Sequence, residues 1–149
     1  MRLSEYTDCT LRVLMYCADQ GARLVTIAEI AEFHGVSKSM LMKIVNDLGR
    51  QGLLETVRGR GGGLRLLAAP ESVRIGDVVR KSETDFRMVE CFDRAHNTCR
   101  IAGRCKLRRG LQSALDAYLK VLDGITLADV VGSGSVAQRR VEVVLNPRR

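Results

Sequence analysis

The stretch Thr26–Leu54, TIAEIAEFHGVSKSMLMKIVNDLGRQGLL, decides the fold. Thr26 and Glu29 form the S/T-x-x-E pattern of a capping box and open a short helix, with Ile27, Ile30 and Ala31 on its buried side. Gly35 supplies a turn, Val36 packs beneath it, and Ser37 caps a second helix. Leu41, Ile44, Val45 and Leu48 recur on one face of that helix, and Gly52 ends it. The order is helix, tight glycine-containing turn, helix. Ser37, Lys38, Ser39, Lys43, Asn46 and Arg50 are left off the apolar face, and side chains of these types reach phosphates and base edges. An ordinary helical hairpin with a solvated face would give the same pattern, so the flanking residues must decide between the two.

Downstream, Glu55–Arg58 and Leu64–Leu67 predict two strands around GRGGG, Gly59–Gly63. A phosphate-binding loop is a poor fit, because the Lys-Ser/Thr pair is missing and a strand follows instead of a helix. A tight hairpin carrying Arg60 at its tip, between Arg58 and Arg65, fits a basic wing. From Lys38 to Arg65 there are six basic residues and two acids, a local excess of +4. Helix-turn-helix plus basic wing predicts double-stranded DNA as the partner.

The remaining periodicity places the other elements. Ser4–Gln20 reads as a helix, with Tyr6, Thr10, Val13, Leu14 and Cys17 at three- and four-residue steps. Pro70 closes the wing, and Ser72–Lys81 predicts a short amphipathic helix burying Ile75, Val78 and Val79. Leu107–Leu122 is a long helical pattern. A winged helix closes its own core without it, so its stripe is expected to meet a second copy of the chain, through Leu111, Leu115 and Leu122. Thr126 caps a last turn, LADVV, and from Gly132 the composition reads as a flexible tail. The expected fold is mainly α with a small β-hairpin. Residues 1–82 form the winged helix-turn-helix, 83–106 a cysteine loop, 107–131 the dimerisation helix and closing turn, and 132–149 the tail.

Composition agrees with this reading. The 149 residues suffice for one compact domain, and 46% hydrophobic content argues against a disordered chain. With no Trp, three Tyr and three Phe, an aromatic sugar- or base-stacking platform is excluded. The net charge of +7 suits an anionic partner. No apolar run approaches the roughly 18 residues of a membrane span. Glu5 and Asp8 stand where a signal peptide would be apolar, so the expected location is cytoplasmic. An enzyme is not expected: His34 and His96 are the only histidines, and neither has a nucleophile or carboxylate at motif spacing.

Three of the five cysteines, Cys91, Cys99 and Cys105, fall in one loop with seven and five residues between them. Six basic residues, Arg94, Arg100, Arg104, Lys106, Arg108 and Arg109, share it, with no acid from Arg94 to Arg109. The paired C-x2-C knuckles of common zinc ribbons are absent. Irregularly spaced thiols suit an iron–sulfur cluster, which takes thiolates from several directions, usually four. Only three are present, so a fourth ligand must come from elsewhere. A zinc site of Cys91, His96, Cys99 and Cys105, a metal-free thiol sensor, and cysteines acting as small apolar residues remain open on spacing alone. Cys9 and Cys17 lie eight positions apart on the first helix, about 12 Å along its axis, and read as core residues.

Four segments together carry a resemblance: MRLSEYTDCTLRVLMYCA, VSKSMLMKIVNDLGRQGLLETVRGRGGGLRL, VECF…NTCRIAGRCKL and ITLADVV. From Met1 to about Val131 the chain resembles the Rrf-two superfamily of iron–sulfur winged-helix regulators, in its nitric-oxide-sensing branch. The resemblance implies a homodimeric transcriptional repressor that binds an operator with inverted repeats. It implies one iron–sulfur cluster per subunit, 4Fe-4S in preference to 2Fe-2S, held by Cys91, Cys99 and Cys105. Asp8, supplied by the partner subunit, would complete the site. Nitric oxide would be the signal, releasing DNA and derepressing nitrosative-stress genes. Asp8 is also placed for an i,i+4 salt bridge to Arg12. The iron–sulfur assembly regulators of the same superfamily use a histidine three residues after the third cysteine; here that position is Arg108.

Overall fold

The computed structural model of the chain describes residues 2–93 and 95–131; Arg94 and the expected tail from Gly132 lie outside the described residues. The element order is α1 (Glu5–Asp19), α2 (Ile27–His34), α3 (Lys38–Arg50), β1 (Leu54–Val57), β2 (Gly63–Leu66), α4 (Ile75–Ser82), α5 (Lys106–Asp123) and α6 (Leu127–Val131). This is a helical protein with one two-stranded antiparallel hairpin, as the periodicities predict. Among the described residues, no helix is long and apolar enough to cross a membrane.

Local chemistry sets the helix starts. Ser4, Thr26 and Ser37 cap α1, α2 and α3, each hydroxyl accepting a backbone N–H three residues on. Glu29 fills half of the expected capping box differently: its carboxylate takes Tyr16 Oη at 2.8 Å and the Arg23 guanidinium at 2.5 Å. The reciprocal box instead forms at α6, where Thr126 N donates to Asp129 at 2.8 Å and Asp129 N donates to Thr126 Oγ1 at 3.2 Å. Gly35 ends α2 with φ of +65°, a left-handed conformation that turns the chain directly into α3.

α1 runs through the centre of the molecule and packs on α2, α3, β2, α4 and α6. Val13, Leu14, Ile30, Leu41, Ile44, Leu48 and Leu127 are buried in one core. Cys9 and Cys17 belong to it, 3% and 1% exposed, and burial pushes the Cys17 thiol up to about 12. Their reading as core residues therefore stands.

The hairpin pairs Leu54 with Leu66 and Val57 with Gly63, each strand beginning one residue earlier than the sequence predicts. Val25 adds a rung, exchanging hydrogen bonds of 2.9 and 2.8 Å with Leu64. That approach needs a glycine beside it, because a Cβ on Gly63 would stand 2.6 Å from the Val25 carbonyl oxygen. The helix expected from Ser72 starts later, at Ile75. Pro70–Ser72 forms a separate 3-10 turn, and Val73–Arg74 stays extended to pair with the chain before α6. Leu127 N donates to Val73 O and Ile75 N to Ile125 O, at 2.8 and 2.9 Å.

α5 packs part of the expected dimer stripe within its own subunit. Leu115 is only 6% exposed within its own subunit, and Leu122 and Leu119 pack against the core. These positions are already occupied, because α5 lies on α4 and α6 lies on α1. The helix carries a second apolar stripe, in alternating steps of four and three, through Leu107, Leu111, Ala114, Tyr118 and Val121. Leu107 and Val121 are 68% and 65% exposed. Of the three expected contact residues, Leu111 alone lies on the outward stripe.

Candidate functional site

α3 presents one continuous polar face. Ser37, Lys38, Ser39, Lys43, Asn46 and Arg50 are all exposed, beside Met42. The Ser37 hydroxyl is already engaged, accepting the Met40 amide at 3.3 Å, so it serves the cap. At the edge of that face, the Asp47 carboxylate accepts the Tyr6 hydroxyl of α1 and pairs with Arg50 at 3.7 Å. Burial, and after it the neighbouring carboxylate, push the Tyr6 phenol up to about 12. The Tyr6 bond fixes α3 against the central helix and leaves Lys38, Ser39, Lys43 and Asn46 exposed.

In the wing, Arg58 and Arg60 are exposed. Arg65 differs, its Nε donating to Glu55 at 2.7 Å across the two strands. Arg60 is the single side chain in a run of glycines, Gly59 and Gly61 holding φ of +102° and +78°. The hairpin thus aims one guanidinium outward at its tip.

The cysteine loop links α4 to α5. Cys91, Cys99 and Cys105 are free thiols, each half-buried. Cys105 is the N-cap of α5, and its Sγ accepts the Arg108 amide at 3.4 Å. Arg108 Nε donates to the Cys91 carbonyl at 3.1 Å, tying the first cysteine to the helix that begins at the third. Glu90 accepts the Thr98 amide and hydroxyl at 2.7 and 2.6 Å, closing the loop around Cys91 and Cys99. Asp93 caps the Ala95 amide, pairs with Arg87 and meets His96 Nδ1 at 3.0 Å. The carboxylate partner that sequence spacing did not give His96 is therefore Asp93, as a turn within the loop.

Asp8 is half-exposed on α1 and pairs with Arg12 at 2.7 Å, the i,i+4 salt bridge. Among the described residues, no three His, Cys, Asp or Glu side chains converge closely enough to hold a metal ion. The donor set nevertheless suits an iron–sulfur cluster: three uncrosslinked thiols, one of them already aligned with a helix N-terminus and an amide donor. N–H···S bonds of that kind support cluster thiolates.

Sequence reading missed three features of these surfaces: Arg108 as the strap between Cys91 and α5, the Tyr6–Asp47 bond, and the exposed Met42. The first two depend on contacts across 17 and 41 residues of sequence, which leave no local pattern. Met42 was legible from its position off the apolar face.

A winged helix-turn-helix joined to a three-cysteine loop defines the class. Residues 3–133 match Rrf2, iron-dependent transcriptional regulator, and the chain belongs to that family. The chain is similar to the HTH-type transcriptional regulator NsrR of Bacillus subtilis, 51% identical over 132 residues that cover 88% of this chain and 90% of that protein. Among solved structures it resembles CymR, the global cysteine regulator of B. subtilis, with TM-score 0.69 and 26% identity over 88% of this chain and 96% of that one. IscR of T. potens has TM-score 0.70 at 24% identity, over 88% and 86% of the two chains, a likeness of fold.

Proposed function

We propose that the protein is a homodimeric, cytoplasmic repressor that binds an inverted-repeat operator and carries one nitric-oxide-sensing iron–sulfur cluster per subunit. The observation that carries this reading is the cap at Cys105: a candidate cluster ligand is also the N-cap of the helix bearing the outward apolar stripe. The similarity to NsrR over most of both chains supports it.

On this reading, α3 enters the major groove. Ser39 and Asn46 face base edges, and Lys38, Lys43 and Arg50 face phosphates. Arg58 and Arg60 carry the wing to the neighbouring phosphates or minor groove, while Arg65 braces the hairpin through Glu55. Cys91, Cys99 and Cys105 hold the cluster, and Arg108 keeps the first and third in register. Asp8 of α1, released from Arg12, reaches the partner's loop as fourth ligand and favours 4Fe-4S over 2Fe-2S. When bound, the cluster supplies iron that reacts with nitric oxide. Asp8 is the hardest of the four ligands and the most readily displaced. The outer stripe from Leu107 to Val121 is the seam between subunits. Because two recognition helices must match half-site spacing, a change at the seam alters DNA affinity. Nitrosative-stress genes are the targets the resemblance suggests.

Anaerobic iron and sulfide reconstitution tests this. Cys91→Ser, Cys99→Ser and Cys105→Ser should each lose the visible absorbance and iron of the wild type. Cys9→Ser, Cys17→Ser and His96→Ala should keep both, and Asp8→Ala should give a labile cluster. A colourless protein with stoichiometric zinc that loses its metal in His96→Ala would refute the cluster. Operator binding unchanged by stoichiometric nitric oxide would refute the sensing role.

A further inference from the structure

The exposed face of α3 carries one apolar side chain. Met42 is 55% exposed, while Met40, two residues earlier, packs against the core. Its helical neighbours on that face are Lys38 at i−4, Ser39 at i−3 and Asn46 at i+4, all exposed. Lys43 and Arg50 flank the same surface. Among the described residues, Met42 therefore stands near the middle of a basic and polar strip with more than half of its surface open.

An apolar group placed there must find an apolar partner in the surface the strip contacts. In a duplex, the major groove offers one such feature on its base edges, the thymine C5-methyl group. Phosphates and sugars lie at the groove's rims, within the reach of long basic side chains such as Lys38 and Lys43. A methionine side chain is unbranched and polarizable, so it can settle against a methyl without a fixed rotamer. We infer that Met42 reads one thymine in each half-site through its C5-methyl group, adding an apolar contact to the hydrogen bonds of Ser39 and Asn46. This inference rests on the DNA-binding reading given above and adds a base identity to it.

The test starts with the wild-type protein and a pool of duplexes carrying randomised positions. Each thymine of the selected site is then replaced by deoxyuridine, which removes the methyl and preserves every hydrogen-bonding group. At one position per half-site, uracil should weaken binding about fourfold, the transfer value of one buried methyl, and about sixteenfold when both half-sites are changed. Met42→Ala should abolish the difference between thymine and uracil at that position. Asn46→Ala should weaken binding yet keep the difference. The substitution at Met42 removes an exposed side chain, so the fold is unaffected. Uracil tolerated at every position, or a uracil penalty that persists in Met42→Ala, would overturn the inference and leave the DNA-binding reading standing. Selection that returned no preferred sequence would overturn both.

Discussion

Replacing Leu115 and Val121 by aspartate separates the two faces of α5. Leu115 is 6% exposed inside its subunit and Val121 is 65% exposed on the outer stripe. Losing a buried leucine costs about 2–5 kcal/mol. An aspartate in its place adds about 1–3 kcal/mol for a polar group without partners. Together these come to about 3–8 kcal/mol, comparable with the whole stability of a domain, about 5–15 kcal/mol. Leu115→Asp should therefore unfold or strongly destabilise the subunit. Val121→Asp changes an exposed position, where a substitution alters the subunit's own stability by about 0.5 kcal/mol or less. It should yield folded monomers that bind half-sites weakly. Circular dichroism melts at low protein concentration report the first effect, and sedimentation equilibrium the second. A folded monomer from Leu115→Asp as stable as the wild type would refute the inner packing. A tight dimer from Val121→Asp would move the seam off the outer stripe.

Further outcomes follow from the wing and from Glu29. Gly63→Ala would press a methyl to 2.6 Å from the Val25 carbonyl oxygen, so the wing should detach while helical content persists; nuclear magnetic resonance of the Val25 and Leu64 amides would show it. Arg60→Ala should weaken operator and random DNA alike and reduce the salt slope of binding by about 0.9, the share of one phosphate contact. Hydrogen bonds from Arg23, then from Tyr16, hold the Glu29 carboxyl down at about 2 from its ordinary 4.5. Since the folded value lies below the unfolded one, this stabilisation is complete above the ordinary carboxylate range and is lost as pH falls towards 2. Glu29→Gln should flatten that part of an acid-unfolding curve.

The elements that build the DNA-facing unit were legible because their signals are local. The apolar steps of α1, α2 and α3, the capping residues Ser4, Thr26 and Ser37, and the glycines of the wing each fix their own few residues. Errors arose where a contact made elsewhere sets the outcome. α4 begins at Ile75 because Val73 and Arg74 are held extended by the segment before α6. On α5, two apolar stripes adjoin, and periodicity alone ranks neither as inner or outer. Leu115 and Leu122, expected to meet a second copy, are respectively 6% exposed within the subunit and packed against its core. In the loop, the cysteines identify themselves, whereas Arg108 and Asp93 act through a main-chain carbonyl and turn amides and leave no spacing to read.

Cys105 has a mechanical meaning beyond its chemistry. α5 is 18 residues long, a rod of about 27 Å. At its near tip, the Cys105 sulfur accepts the Arg108 amide. At its far end, Asp123 grips the Arg80 guanidinium of α4, and its carbonyl oxygen takes Arg74 Nη1 at 2.7 Å. On the proposed reading, bonding gained or lost at that sulfur would act on one end of a rod whose inner face and far end are both held against the DNA-facing unit.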